Sequence, residues 1–216
     1  MTYSEKNTLP SLPIFIAVMC GVVALSNYLV QFPFKHFGMS EILTWGAFTY
    51  PVAFLITDLA NRRFGASKAR KIVFFGFVLA VVLSIWLATP RIAIASGSAF
   101  LVAQLLDIAI FNRLRNGRWW SAPLLSSIIG SAVDTLLFFS LAFAAKFVML
   151  DTMLGREDGS LAFPVPFFGF GVEVPLWISL AVGDYGVKLI IALSMLVPYR
   201  LLLNVLRAKP DAAVAG

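Results

Sequence analysis

Apolar runs of roughly 20 residues recur along this chain, and that is the length a helix needs to cross the hydrocarbon core of a bilayer. They stand at 13–32, 44–61, 70–89, 92–112, 122–147 and 177–206. The last is long enough to tilt within the membrane or to emerge from it. Of the 216 residues, 60% are hydrophobic and 13% charged, whereas a soluble domain carries about 25% charged residues. The sequence therefore predicts an all-α membrane protein, with one integral membrane domain over 1–216 folded as a compact bundle of six transmembrane helices. The polar, near-neutral start at 1–10 leads into the first run without a small-residue cleavage site of the usual form. That run is expected to stay as a helix rather than to leave as a signal peptide.

Basic residues orient the spans. Arg62, Arg63, Lys68, Arg70 and Lys71 lie between spans 2 and 3, and Arg113, Arg115 and Arg118 between spans 4 and 5. Lys6, Arg200, Arg207 and Lys209 lie near the two termini. The opposite side holds Lys35, Arg91, Lys146 and Arg156. The positive-inside rule places the first group, and both termini, in the cytoplasm. The segment 148–176 is then a long outer connection. Its glycines and prolines are expected to break regular structure, and its phenylalanines suit either a loop resting on headgroups or a lid over a cavity.

Several chemistries are disfavoured. The formal net charge is +6, but the basic residues punctuate apolar blocks rather than forming a nucleic-acid patch, so no nucleic-acid partner is expected. The single cysteine, Cys20, excludes an intramolecular disulfide, and with the only histidine, His36, in a predicted loop, a zinc site or a Cys/His nucleophile pair is disfavoured. No cofactor and no metal are predicted. No Gly-x-x-x-x-Gly-Lys-Ser/Thr loop occurs, so the chain is not itself an ATPase of that kind. With no base beside a nucleophile and with scattered aspartates, an intramembrane enzyme is disfavoured.

The informative residues are those that lipid should exclude, because a charge at a helix centre costs about 2.5–3.5 kcal/mol on insertion scales. Asp184 and Lys188 are four apart on span 6 and share one face; they read either as a structural ion pair or as a substrate or proton site. On span 5, Ser126, Gly130 and Asp134 recur every four residues beside Ser127, Ser131 and Thr135. Close packing accounts for Gly130 and Ser131 but does not require an acid near the midplane, so Asp134 is read as functional. Asn27 and Gln31 lie one turn apart on span 1. Gly97, Gln104 and Asp107 share a face of span 4, with Arg91 at its outer mouth. These amides suit a polar planar ligand, or else hydrogen bonds between helices. Span 2 begins Thr44-Trp45-Gly46-Ala47-Phe48-Thr49-Tyr50-Pro51; a kink is expected at Pro51, and Trp45 and Phe48 offer either a stacking surface or an interfacial belt. Asp58, four residues before Arg62, and Asp107 are read as structural. Arg113 and Arg115, followed by Trp119 and Trp120, read as an interfacial anchor.

Several strings in order carry a family resemblance. They are Ser-Asn-Tyr-Leu-Val-Gln at 26–31, Thr-Trp-Gly-Ala-Phe at 44–48, Asp58-Leu59 with Arg63-Phe64-Gly65-Ala66, and Gln104 with Leu106-Asp107. Further along come Phe111-Asn112-Arg113-Leu114-Arg115, Trp119-Trp120 with Ala122-Pro123, Asp134-Thr135-Leu136, and Asp184-Tyr185 with Lys188. The chain thereby resembles the bacterial queuosine precursor transporters over nearly all its length outside 148–176. The resemblance implies import of 7-cyano-7-deazaguanine and 7-aminomethyl-7-deazaguanine. It also implies a six-helix bundle similar to the substrate-binding components of energy-coupling-factor vitamin transporters, with a separate ATPase module as the rival arrangement. On that reading the partners are a small deazapurine and the lipid bilayer; the oligomeric state stays open, a homodimer being one option. The expected site has Asp134 or Asp184 on the guanidine-like edge of the base and Asn27 and Gln104 on its other polar atoms. Trp45 or Phe48 would stack on the ring, Lys188 would hold its aspartate ionised, and Gln31, Thr49 and Arg91 stand nearby.

Overall fold

The computed structural model describes residues 10–36, 43–147, 149–153 and 163–207. Lys6, Arg156 and Lys209, used above to orient the spans, lie outside the described residues, as do the start at 1–9 and positions 154–162 of the long connection.

The helices follow the apolar runs. In chain order they are α1 (Leu12–Leu29), α2 (Gly46–Thr49), α3 (Val52–Phe64), α4 (Ala66–Leu87), α5 (Pro90–Leu114), α6 (Ser121–Phe143), α7 (Met149–Met153) and α8 (Leu176–Arg207). Five of them, α1, α4, α5, α6 and α8, are long and apolar enough to cross a membrane. The chain is thus an all-α, multi-pass membrane protein. The run expected as span 2 is instead two pieces, α2 and α3, parted at Tyr50–Pro51. Pro51 has no N–H for the carbonyl of Ala47, so the helical ladder lapses at the predicted position.

Local chemistry sets the ends. Thr89 caps α5, its hydroxyl accepting from the Ile92 amide at 3.4 Å, with Pro90 at the first helical position. Gly65 alone joins α3 to α4; its φ of 80° lies in the region glycine favours. At 32 residues, α8 is about 48 Å long, well over the roughly 30 Å of hydrocarbon, and it carries Pro198 near its end.

α5 runs through the middle, packed between α4 and α6. Small residues set the spacing. A Cβ on Gly130 of α6 would stand 2.8 Å from the Phe54 ring and 3.4 Å from the Ala103 carbonyl, so α3, α5 and α6 meet there only because that atom is missing. The apolar core, including Met19, Ile72, Phe100, Ile108, Phe111 and Leu203, fills the half of the bundle toward the Arg62/Arg63 end. We call this the basic end. Trp86, Leu136, Ile190 and Leu201 face outward, as a lipid-facing surface requires.

The long connection has more order than its composition suggested. α6 stops at Phe143 rather than 147, followed by a 3-10 turn at Ala145–Phe147 and by α7. A two-stranded hairpin, β1 (Pro164–Pro166) with β2 (Glu173–Pro175), pairs Val165 with Val174. Its three prolines sit at the strand ends of an isolated pair, where a missing N–H is tolerated.

Candidate functional site

Away from the basic end the bundle opens into a cavity of about 560 Å³, within the range of small-molecule sites. α1 contributes Ser26, Asn27 and Gln31; the α2–α3 break contributes Tyr50; α6 contributes Asp134 and three phenylalanines; and α8 contributes Asp184 and Lys188.

Charge is concentrated at the meeting of α6 and α8. Lys188 Nζ lies 2.7 Å from Asp134 Oδ2, also pairs with Asp184 Oδ2, and donates to Thr135 Oγ1 at 3.0 Å. An ammonium has three hydrogens, so Lys188 is fully engaged by these neighbours. Thr135 in turn donates to Asp184 Oδ2 at 2.7 Å. The α8 pairing foreseen from the i, i+4 spacing is present, but the lysine also crosses to Asp134. Two carboxylates on one ammonium leave the group one negative charge in excess when all three are ionised. Asp134 is only 4% exposed, while Asp184, at 14%, reaches further into the cavity. The Tyr50 ring centre stands 5.7 Å from Lys188 Nζ and its hydroxyl 3.5 Å from Asp134 Oδ1.

The structure sorts the expected residues. Asn27, Gln31, Asp134, Asp184 and Lys188 all line the cavity. Asn27 is partly committed: its amide donates to the Val23 carbonyl at 2.9 Å and accepts from Ser84 Oγ at 3.2 Å. Thr49 stands behind the wall and accepts from Ser26 Oγ at 3.0 Å.

The other four stand apart from the cavity. Trp45 and Phe48 pack against Phe34, with ring centres 4.9 and 4.8 Å away, in an aromatic cluster at the end opposite the basic one. The bridge between Pro33 and Thr44 holds them there. Arg91 is 1% exposed and donates to the carbonyls of Leu141 at 2.9 Å and Ala144 at 2.7 Å. Its guanidinium satisfies the last turn of α6, which is why that helix can end early inside the protein. Gln104 lies deeper, accepting from Thr57 Oγ1.

Sequence reasoning missed the phenol of Tyr50 and the rings of Phe138, Phe139 and Phe143, all in the cavity wall. Tyr50 carried a signal, since a phenol inside an apolar run beside a proline is another polar group that needs a reason. The three phenylalanines carried none, because lipid and cavity accept the same ring.

Comparison with known proteins decides the family: residues 44–89 and 84–202 match the family described as "Putative vitamin uptake transporter". The chain belongs to that family. It is 35% identical to the "Queuosine precursor transporter" of Escherichia coli K12, over 86% of this chain and 83% of the relative. It is 34% identical to the "Probable queuosine precursor transporter" of Haemophilus influenzae Rd, over 87% and 84%. A Bacillus subtilis 168 protein of the latter name is 26% identical over 55% of this chain and 63% of its own. No solved structure matches the chain. Membership makes it a membrane transporter rather than an enzyme.

Proposed function

We propose that this chain imports 7-deazaguanine precursors of queuosine, 7-cyano-7-deazaguanine and 7-aminomethyl-7-deazaguanine, across a bacterial inner membrane. In this reading α1, α2 with α3, α4, α5, α6 and α8 make six crossings. The basic end, rich in Arg62, Arg63, Lys68, Arg115 and Arg200, faces the cytoplasm with both termini. The cavity then opens toward the outside.

The observation that carries the proposal is the Asp134–Lys188–Asp184 group in the wall of a cavity sized for a small molecule, in a chain related over most of its length to proteins named for this cargo. A deazaguanine presents a ring N–H and an exocyclic amine side by side, and one carboxylate accepts both. Asp184 is the better placed of the two acids, because it is the more exposed and no described protein donor occupies its Oδ1. Gln31 and the uncommitted part of Asn27 suit the remaining polar atoms. Tyr50, Phe138 and Phe139 offer the ring contacts first assigned to Trp45 and Phe48. The excess negative charge also favours the aminomethyl compound, an ammonium at neutral pH, over the uncharged cyano compound.

Direct binding to purified protein tests this. Both deazaguanines bind, the aminomethyl one more tightly, and Asp184→Asn weakens the aminomethyl compound at least about tenfold, or 1.4 kcal/mol. Binding of neither compound, beside binding of a different solute, overturns the substrate assignment.

A further inference from the structure

We propose that Asp58 and Asp107 form a second site on the transport route: a carboxyl pair that binds one proton and couples import to proton entry. The inference rests on the chain being an importer, and goes beyond that reading by naming the coupling ion and its residues.

The pair lies toward the basic end, in the half of the bundle below the cavity. Asp58 of α3 is 1% exposed and Asp107 of α5 is fully buried. The two side chains stand within hydrogen-bonding reach of each other. Ser126 Oγ stands beside both acids and donates to Asp58 Oδ1 at 3.3 Å; with its one hydrogen spent there, neither oxygen of Asp107 has a hydrogen-bond donor among the described residues. Three more buried polar atoms nearby along α3, α5 and α6 are unmatched: Asn61 Oδ1, Gln104 Nε2 and Ser131 Oγ.

The neighbouring charges do not neutralise the pair by contact. Arg62, one turn along α3, donates to Tyr199 Oη at 3.2 Å and to the Arg115 carbonyl at 2.7 Å, with its guanidinium over the Phe111 ring. Arg63 lies over Phe64, and Arg115 turns to Asn112 and the Arg62 carbonyl. On α4, Lys68, Arg70 and Lys71 are exposed. On α6 and α8, Asp134 and Lys188 are taken up by each other and by Asp184.

Two ionised carboxylates in contact, out of water and without a paired cation, repel strongly. Nor can they bond to one another, since a carboxylate only accepts. One shared hydrogen resolves both problems, turning one group into the donor the other lacks. The upper group solves the same problem with a lysine; the lower pair, with no cation in contact among the described residues, is left to solve it with a shared proton.

Hydroxyls stand along the interval between the two. Ser131, Ser127 and Ser126 lie along α6 between Asp134 and the pair, eight residue steps or about 12 Å. A cleft between α3, α6 and α8, lined by Asp58, Ser127, Ser131 and Tyr199, encloses about 10 Å³, room for roughly one water. In the import cycle the proton enters from the outer cavity along these hydroxyls, is held between Asp58 and Asp107, and leaves to cytoplasmic water.

The test uses the full chain in liposomes with labelled 7-aminomethyl-7-deazaguanine. An acid-outside gradient should raise wild-type accumulation at least tenfold. Asp107→Asn, which supplies a permanent donor of the same shape, should abolish that rise while exchange of internal for external substrate stays within threefold of wild type. Equal accumulation with and without the gradient, or a gradient response that survives in Asp107→Asn, overturns the inference. A substrate-independent measurement stands beside it. Infrared spectra of the purified protein at neutral pH should contain the C=O stretch of a protonated carboxyl that is lost in Asp58→Asn/Asp107→Asn; its absence from the wild type also overturns the inference. Loss of all deazaguanine binding and exchange in the wild type, with that band intact, would sink the substrate reading and leave the proton site standing.

Discussion

Replacing Lys188 by methionine tests the charge arithmetic of the cavity. The substitution keeps an unbranched chain in the same space but removes the ammonium that touches Asp134, Asp184 and Thr135. Two carboxylates then face one another with no cation, Asp134 at 4% exposure. Removing one partner of a buried ion pair costs about 3–5 kcal/mol, because the charge left behind is uncompensated. For a chain of this size each kcal/mol moves the midpoint by roughly 2–4 °C, so a fall of about 6–20 °C is expected, in addition to the loss of hydrogen bonds. Tryptophan fluorescence during heating in detergent reports it. Adding Asp134→Asn restores the net charge of the wild-type group, and most of the lost midpoint should return. A single variant within about 2 °C of wild type, or a double variant no better than the single, refutes the reasoning.

Other outcomes follow from particular contacts. Gly130→Val drives a side chain into Phe54 and the Ala103 carbonyl and should destabilise by about 1–3 kcal/mol in the same thermal assay. Arg91→Gln removes the charged donors to Leu141 and Ala144; the midpoint should drop by several degrees, while the affinity of the folded fraction for substrate changes less than twofold. Trp45→Ala, in a cluster set apart from the cavity, should also leave Kd within about twofold, whereas Tyr50→Ala, which opens the cavity wall, should raise it at least about tenfold, or 1.4 kcal/mol.

The fold was legible wherever lipid dictates composition. Each long helix lies on an apolar run, and the proline in the second run marked the place where it divides. The ends were less legible. α6 stops short of 147 because Arg91, some 50 positions away, accepts the task of satisfying its final carbonyls, and no local pattern announces such a partner. Acids and amides in apolar runs pointed to the cavity through their cost in hydrocarbon, which found Asp134, Asp184, Lys188, Asn27 and Gln31. The same cost argument could not rank depth: Gln104 stands on the same helix face as Asp107 and went with it toward the carboxyl pair rather than toward the cavity. Aromatic positions were harder to place, Tyr50 apart. Trp45 and Phe48 had the right chemistry for stacking, but they pack against Phe34 outside the cavity wall, beside the bridge between Pro33 and Thr44.

The lapse in the helical ladder at Pro51 leaves a trace that ordinary mutagenesis passes over. Ala47 belongs to the cavity wall, and its main-chain oxygen is the one that the proline ring cannot serve. Beside it Gly46, which has no side chain, borders the same cavity with backbone alone. Pro51→Ala would return an amide hydrogen at that position, and with it the continuous helix that the second apolar run would otherwise form.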